Sequence, residues 1–293
     1  MHIKDSMCVK IFQAVNTIIL TCLVIVTLYP IIHVVMASFS DDNLLMAHRG
    51  MLLKPLGFNL NAYRKIFEYP ILMRAYGNTI LICAISIVIN ILLTSFAAYF
   101  LTRKEVGCRN VVMMFIMFTM YFNGGLIPTY MLVRNLGLLD SMWSLILPSA
   151  MTTYNMIVLR TSFAAMPESL YESARMEGAG HFRILFQIVM PLCKATLAVI
   201  VLYYLVAHWN SWFQASIYID DRNKYPLQLL LREILIENDS GEMAQNVLDS
   251  DKQAISETLK YAVIVVSTVP VLCLYPFLQK YFAKGVMIGA VQG

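Results

Sequence analysis

Charge is scarce in this chain of 293 residues: 14% are Asp, Glu, Lys or Arg against 59% hydrophobic, and mean hydropathy is +0.65. A water-soluble domain of that length needs far more polar surface to cover its core. The apolar excess therefore faces lipid. Basic runs and stacking ladders are missing and the net charge is only +4, which argues against a nucleic-acid partner. The six cysteines, at 8, 22, 83, 108, 193 and 273, form no C-x-x-C pair. They read as small apolar packing residues in preference to a disulfide framework or a metal site. No G-x-x-x-x-G-K-[ST] phosphate loop is present, so the energy for uphill transport must arrive through another chain.

About 20 apolar residues are needed to cross about 30 Å of hydrocarbon. Six segments qualify, at 11–36, 77–101, 110–133, 141–162, 192–213 and 261–280. The expectation is an all-α polytopic membrane protein with six transmembrane helices, organised as one permease domain over 1–293 with a five-helix core over 72–280. The first apolar run is longer than the roughly 7–15 residues of a signal-peptide core and reads as a retained helix. Short loops set orientation, and Arg103, Lys104 and Arg109 outweigh Arg134. This puts both termini in the cytoplasm. The span interiors hold no Asp, Glu, Lys or Arg, and only His33 and His208 can titrate there. A proton- or sodium-driven carrier would need a mid-membrane carboxylate. An intramembrane enzyme would need nucleophile, acid–base or metal groups. No catalytic residue and no metal ligand is expected.

Between the fourth and fifth spans runs YESARMEGAGHFRILFQIVMP, residues 171–191. Pro167 suits a first helical turn, Glu168 sits near the positive helix end, and Gly178 suits a helix stop. Gly180 adds a second joint. Phe182, Leu185, Phe186 and Val189 then form an apolar helical stripe, and Pro191 closes the element. The pattern reads helix, glycine bend, amphipathic helix, membrane. An interfacial helix lying on lipid would explain the stripe but favours Lys and Arg over the acidic first half, so a protein partner fits better.

Glu172, Ser173, Ala174, then Gly178, Ile188, Met190 and Pro191 resemble the motif E-A-A-x3-G-x9-I-x-L-P, with Ser and Met as the two departures. That motif marks the permease subunits of binding-protein-dependent ABC importers. The resemblance implies the type I permease (MetI-like) fold and a cytoplasmic coupling loop over 167–191, docked on an ATP-hydrolysing subunit. Glu172, Ser173, Ala174, Gly178, Phe182, Ile188 and Pro191 are its coupling candidates. The stretches 123–148, 226–235 and 257–293 are similar to the second permease of carbohydrate importers, in the maltose-transporter-like branch serving complex oligosaccharides. In relatives the tail reaches the ATPases, so Lys284, Gly285 and Gly289 are either a second coupling contact or a frayed terminus. The resemblance further implies a second homologous permease as heterodimer partner, two ABC ATPases carrying ATP and Mg, an extracellular solute-binding lipoprotein and an oligosaccharide substrate. It places the chain in the bacterial plasma membrane with no cofactor of its own. The motif does not name cargo, and peptides or amino acids are the alternative.

Asn123, Gly124, Gly125 and Pro128 interrupt the third span, because Pro128 removes a donor and clashes with the carbonyl at Gly124. Such a break lines a cavity or packs on protein, or is a helix end at the outer surface. Tyr204, His208 and Trp212 recur every four residues in the fifth span, beside Asn210, while Tyr154 and Asn155 sit in the fourth. They are the substrate-path candidates. An aromatic belt at the outer interface is the other reading for Trp209 and Trp212. The 214–260 segment is too polar for lipid. It is expected outside the cell, with PLQLLLREIL as a short amphipathic helix before a polar stretch at 238–241. It faces the binding protein or serves as a spacer.

Overall fold

A computed structural model describes residues 7–68, 70–241 and 257–290, with side chains of 237–241, 257, 274–275 and 277–290 outside the description. The described residues are helical and contain no strand. In chain order the helices begin with α1 (Met7–Ser38), α2 (Asp42–Ala47), α3 (Asn61–Glu68) and α4 (Pro70–Thr102). Next come α5 (Arg109–Tyr121), α6 (Leu126–Asn135), α7 (Trp143–Ile146) and α8 (Thr153–Ala164). They are followed by α9 (Glu168–Met176), α10 (His181–Leu192) and α11 (Lys194–Trp209). The last are α12 (Phe213–Tyr218), α13 (Leu227–Gly241) and α14 (Glu257–Ala290).

Among the described residues two helices, α1 and α4, are long and apolar enough to cross a membrane unaided. The predicted spans 11–36 and 77–101 lie within them. The third span is two helices, α5 and α6, meeting at 113°, and the fifth is α10 and α11, meeting at 87°. Counting each bent pair as one crossing gives four, and the apolar Thr258–Cys273 stretch of α14 is shorter. The predicted fourth span, 141–162, is corrected. It is not one helix but the single turn α7, a break at 147–152 and α8, which runs two residues past the predicted end. Pro148 and the extended Thr152 prevent the backbone from closing a helical ladder there. The fifth span also begins differently. Pro191 lies within α10, and the bend falls at Cys193. The polar stretch at 238–241 belongs to the backbone of α13, so that helix outruns its predicted end.

The chain divides into two units, residues 1–69 with 233–268, and residues 70–232 with 269–293. In the first, α1 presents an apolar surface outward along nearly its whole length. Its lower end is tied down by Ser38 Oγ, 2.8 Å from the Tyr63 hydroxyl, and by Phe39 stacked against Phe58 and Tyr63. Asp42 Oδ1 accepts from the Thr258 N–H at 3.1 Å.

In the second unit α4 is the central element, packed on α8 and α11. Its buried positions Ala75, Thr79, Ile82, Ser86, Asn90, Thr94 and Ala98 fall three or four apart. Small and hydroxylated side chains on one face let helix backbones approach closely, the packing that operates where no hydrophobic force separates helix from lipid. One core gathers Ala98, Tyr99, Leu159, Phe163, Tyr171, Ala174, Ile184, Leu185, Val189, Ile200 and Tyr204. A second joins Ile82, Val133, Leu145, Ile146, Ala215, Tyr218, Ile219 and Leu229.

Candidate functional site

The segment 167–191 is a helical hairpin. Pro167 stands at the N-cap of α9 in extended conformation, one position earlier than the first-turn placement expected. Helix α9 ends in a Schellman arrangement. The Ala179 N–H donates to the Ala174 carbonyl and the Gly178 N–H to the Arg175 carbonyl, both at 2.9 Å. Gly178 adopts φ +76°, a backbone state that a Cβ disfavours. Helix α10 restarts at His181, passes through a π-helical turn at Leu185–Val189 and reaches the bend at Cys193.

One side of the hairpin is sunk into the first core of its unit. Tyr171 and Ala174 are buried, and Ile184, Leu185 and Val189 face the same cluster, with Ile188 packed partly against it. The connection between α4 and α5 grips the hairpin's base. The Arg103 guanidinium lies 3.5 Å from the Tyr171 ring centroid and 5.0 Å from that of Tyr99. Lys104 pairs with Glu168, and Arg175 with Glu105. The Tyr99 hydroxyl lies 3.2 Å from His181 Nδ1. The Lys104 ammonium, with Arg103 and Arg109 behind it, holds the Glu168 carboxyl below its usual range. Burial pushes the Tyr171 phenol up, only partly offset by Arg103.

The opposite side is bare. Glu172 and Ser173 are exposed, and the Glu172 carboxylate makes no hydrogen bond or ion pair among the described residues. Met176 is 89% exposed and Phe182 71%, although the Phe182 ring edge meets Phe96 at 6.0 Å. Pro191 is exposed as well. Thus Glu172, Ser173, Gly178 and Phe182 share a free surface, whereas Ala174 and Ile188 belong to the footing. Lys284, Gly285 and Gly289 lie in the backbone of α14, and their side chains are outside the described residues.

Among the path candidates, Tyr204 (2% exposed) and His208 (6%) point into the fold. The Tyr204 hydroxyl is 2.7 Å from Thr94 Oγ1 and accepts from the Thr152 N–H at 3.1 Å. His208 Nε2 lies 2.9 Å from the Asn90 amide. With that amide turned so that its oxygen accepts from His208, its nitrogen donates to the carbonyls of Ser86 and Ala150. Asn155 is buried. Tyr154 is 56% exposed and tilted against Tyr203. Asn210 is exposed and donates to the Val206 carbonyl at 2.9 Å. Helix α11 ends at Trp209, so Trp212 does not share the face of Tyr204 and His208. Its ring is instead covered by the Arg232 guanidinium at 3.6 Å.

The break at 122–125 has its own local chemistry. Gly125 takes φ +91° at the start of α6, Asn123 Oδ1 accepts its N–H at 3.0 Å, and the Thr129 hydroxyl donates to its carbonyl at 2.8 Å. Pro128 falls in the first turn of α6, where no donor is needed. Sequence reasoning missed the contacts that Arg103, Glu105, Glu168 and Tyr171 make at the hairpin base, and the residues Asn90 and Thr94 in the span network. The spacing of Thr79, Ser86, Asn90 and Thr94 carried a signal for the latter. Nothing local announced the former.

Comparison with known proteins gives one answer. The chain is 40% identical over 269 residues to the polygalacturonan/rhamnogalacturonan transport system permease protein YtcP of Bacillus subtilis, covering 92% of this chain and 94% of that protein. It is 37% identical to protein LplC of the same organism, over 97% and 96%. A chain in the crystal structure of a bacterial ABC transporter involved in the import of the acidic polysaccharide alginate superposes with a TM-score of 0.86 at 31% identity, covering 95% of this chain and 99% of that one. Residues 106–288 match the family of binding-protein-dependent transport system inner membrane components, and the chain belongs to that family.

Proposed function

We propose that this chain is the membrane-spanning permease of an ATP-driven oligosaccharide importer, with 167–191 as its coupling element. The carrying observation is the hairpin's asymmetry: a footing held by Arg103, Lys104 and Glu105, and a bare face bearing Glu172, Met176 and Phe182. A free-standing surface helix would not need three grips at one end. A transmission element does, since force applied at the tip has to reach α4, α8 and α11 without being lost in a loose joint. The apolar side chains supply contact area to an ATPase subunit, and Glu172 supplies register. An exposed ion pair contributes only about 0–1 kcal/mol, whereas breaking one desolvated on docking costs about 3–5 kcal/mol.

In this reading both termini, the 102–109 loop and the hairpin are cytoplasmic, and six crossings are completed by α8 and α14. A second, homologous permease forms the other half of the pathway. Two ATPase subunits carry ATP and Mg, and an extracellular lipoprotein delivers cargo near 214–260. The chain itself is a transport subunit and not an enzyme. The names of its relatives support saccharide cargo, and two of them point to fragments of acidic polysaccharides. Tyr154, with its exposed ring, is placed to meet the sugar. Tyr204, His208 and Asn155 shape the wall from behind, and Asn210 and Trp212 lie beyond the end of α11. Lys284, Gly285 and Gly289 supply a second contact to the ATPases.

The reconstituted complex tests this directly. Its ATPase should be stimulated by binding protein loaded with galacturonate oligomers, and Glu172→Lys should leave the subunit folded while separating ATP hydrolysis from uptake. Stimulation by peptide-loaded forms alone would overturn the sugar assignment, and normal uptake by Glu172→Lys would overturn the docking.

A further inference from the structure

Beside the hairpin's base is a cavity of about 200 Å³ lined by four cations, Arg103, Lys104, Arg109 and Arg160, against one acid, Glu168. Tyr171 and Phe163 also line it. Lys104 is matched by Glu168, which leaves the three arginines unbalanced. Arg160 is steered into place by its Nε donating to the Leu101 carbonyl at 3.3 Å. Arg103 is held by stacking on Tyr171, yet its Nε is buried without a hydrogen-bond partner. The Arg109 guanidinium makes no hydrogen bond or ion pair among the described residues, while its backbone N–H, at the start of α5, donates to the Val106 carbonyl at 3.2 Å. Three guanidinium groups lining one cavity favour an anion.

The cation cluster is not the work of one flexible surface. Its members come from the connection just after α4, the start of α5 and the second half of α8, and Glu168 opens α9. Like charges gathered at this density repel unless something negative sits among them. Guanidinium groups are forks suited to phosphate and carboxylate oxygens. The volume is below the roughly 300–1,000 Å³ of pockets that take drug-sized ligands, which suits a single phosphate group and excludes a whole nucleotide. On the six-crossing reading proposed above, the end of α4 lies at headgroup depth, where basic pockets between helices meet anionic lipid.

We propose that this cavity is an anion site that takes a phosphate group, supplied by the headgroup of an anionic phospholipid. Bound there, the phosphate bridges α4, α5 and α8 at the point where the hairpin is gripped, and so makes the footing of α9 depend on the surrounding lipid. The site stands apart from the surface assigned to the ATPase and does not depend on the nature of the cargo.

The assembled importer, in nanodiscs of phosphatidylcholine with graded phosphatidylglycerol, carries the test. Native mass spectrometry should count phosphatidylglycerol retained after mild delipidation. Arg109→Gln and Arg160→Gln should each weaken retention roughly fivefold, the effect of one cation at an anionic lipid surface. Lys194→Gln, an exposed cation outside the cavity, should leave it unchanged. A second arm titrates inorganic phosphate into discs of phosphatidylcholine alone and follows ³¹P line broadening. Phosphate binding that the same two variants abolish, without lipid retention, keeps the anion site and moves its source to solution. Equal retention in wild type and both variants, an equal loss in Lys194→Gln, or binding of neither probe overturns the proposal. If the importer still couples hydrolysis to uptake in that case, only the cavity's assignment falls and the import reading stands.

Discussion

At Gly178 the backbone turns with φ +76° and nothing lies within 4 Å of where a Cβ would stand. The constraint is therefore conformational and not spatial. Alanine should cost about 1–2 kcal/mol of bend stability through the left-handed backbone alone, whereas asparagine, which tolerates that region better, should cost less. Measuring sugar moved per ATP hydrolysed in the two variants checks this, with Gly178→Asn closer to wild type. A reversed order would mean that side-chain bulk governs the joint. Arg103 offers the complementary measurement. Arg103→Lys keeps the charge but loses a planar stack worth about 0.5–2 kcal/mol. Amide exchange over 168–176 should quicken, while exchange over 194–209 stays as it was.

Among the elements, the α6–α7 connection is fastened to the α12–α13 connection by Asp140. Its backbone N–H donates to the Tyr218 carbonyl at 2.7 Å, its Oδ1 accepts from the Asp221 N–H at 2.9 Å, and its carboxylate pairs with Lys224. Lys224, with the N–H groups of Asp221 and Asp220, holds the Asp140 carboxyl below its ordinary 3.8, and Asp140 holds the Lys224 ammonium above its ordinary 10.5. A depressed carboxyl contributes stability that is present above 3.8 and lost as pH falls through the depressed value. A raised amine contributes stability that is present below 10.5 and lost as pH rises through the raised value. The fastening is therefore flat across neutral pH. Lys224→Met should lower Tm by a constant amount there, with the difference shrinking in acid as pH falls through the carboxyl's depressed value and in alkali as it rises through the amine's raised one. A difference that grew with acidification would refute the assignment. Elements like this were partly legible in the sequence. Long apolar runs announced α1 and α4, and Gly178 with its flanking helices announced the hairpin. The fourth span reads as one helix from hydropathy because an apolar count does not register the break at 147–152, where Pro148 and the extended Thr152 interrupt the helical ladder. The grip of Arg103 on Tyr171 was invisible because partners far apart in sequence leave no local period.

For the second unit as a whole, these contacts sort the loops into two sets. The 102–109 loop meets the hairpin through Lys104–Glu168 and Glu105–Arg175, and the 136–140 turn meets the 219–224 segment through Asp140 and Lys224. Members of a set must share one side of a membrane, whichever side that is. In a background without other cysteines, Cys108, which is exposed, and Met176→Cys should react with an impermeant maleimide from the same face. Asp220→Cys should react from the opposite face. Labelling of all three from one side would break the six-crossing arrangement. The shared footing also bears on subunit engineering. A chimera that received residues 167–191 from another importer would bring a new Glu168 and Arg175 to Lys104 and Glu105 that did not evolve with them. Grafts meant to redirect this chain to a foreign motor should therefore carry 102–109 along with the hairpin, and function should return only when both pieces come from the same donor.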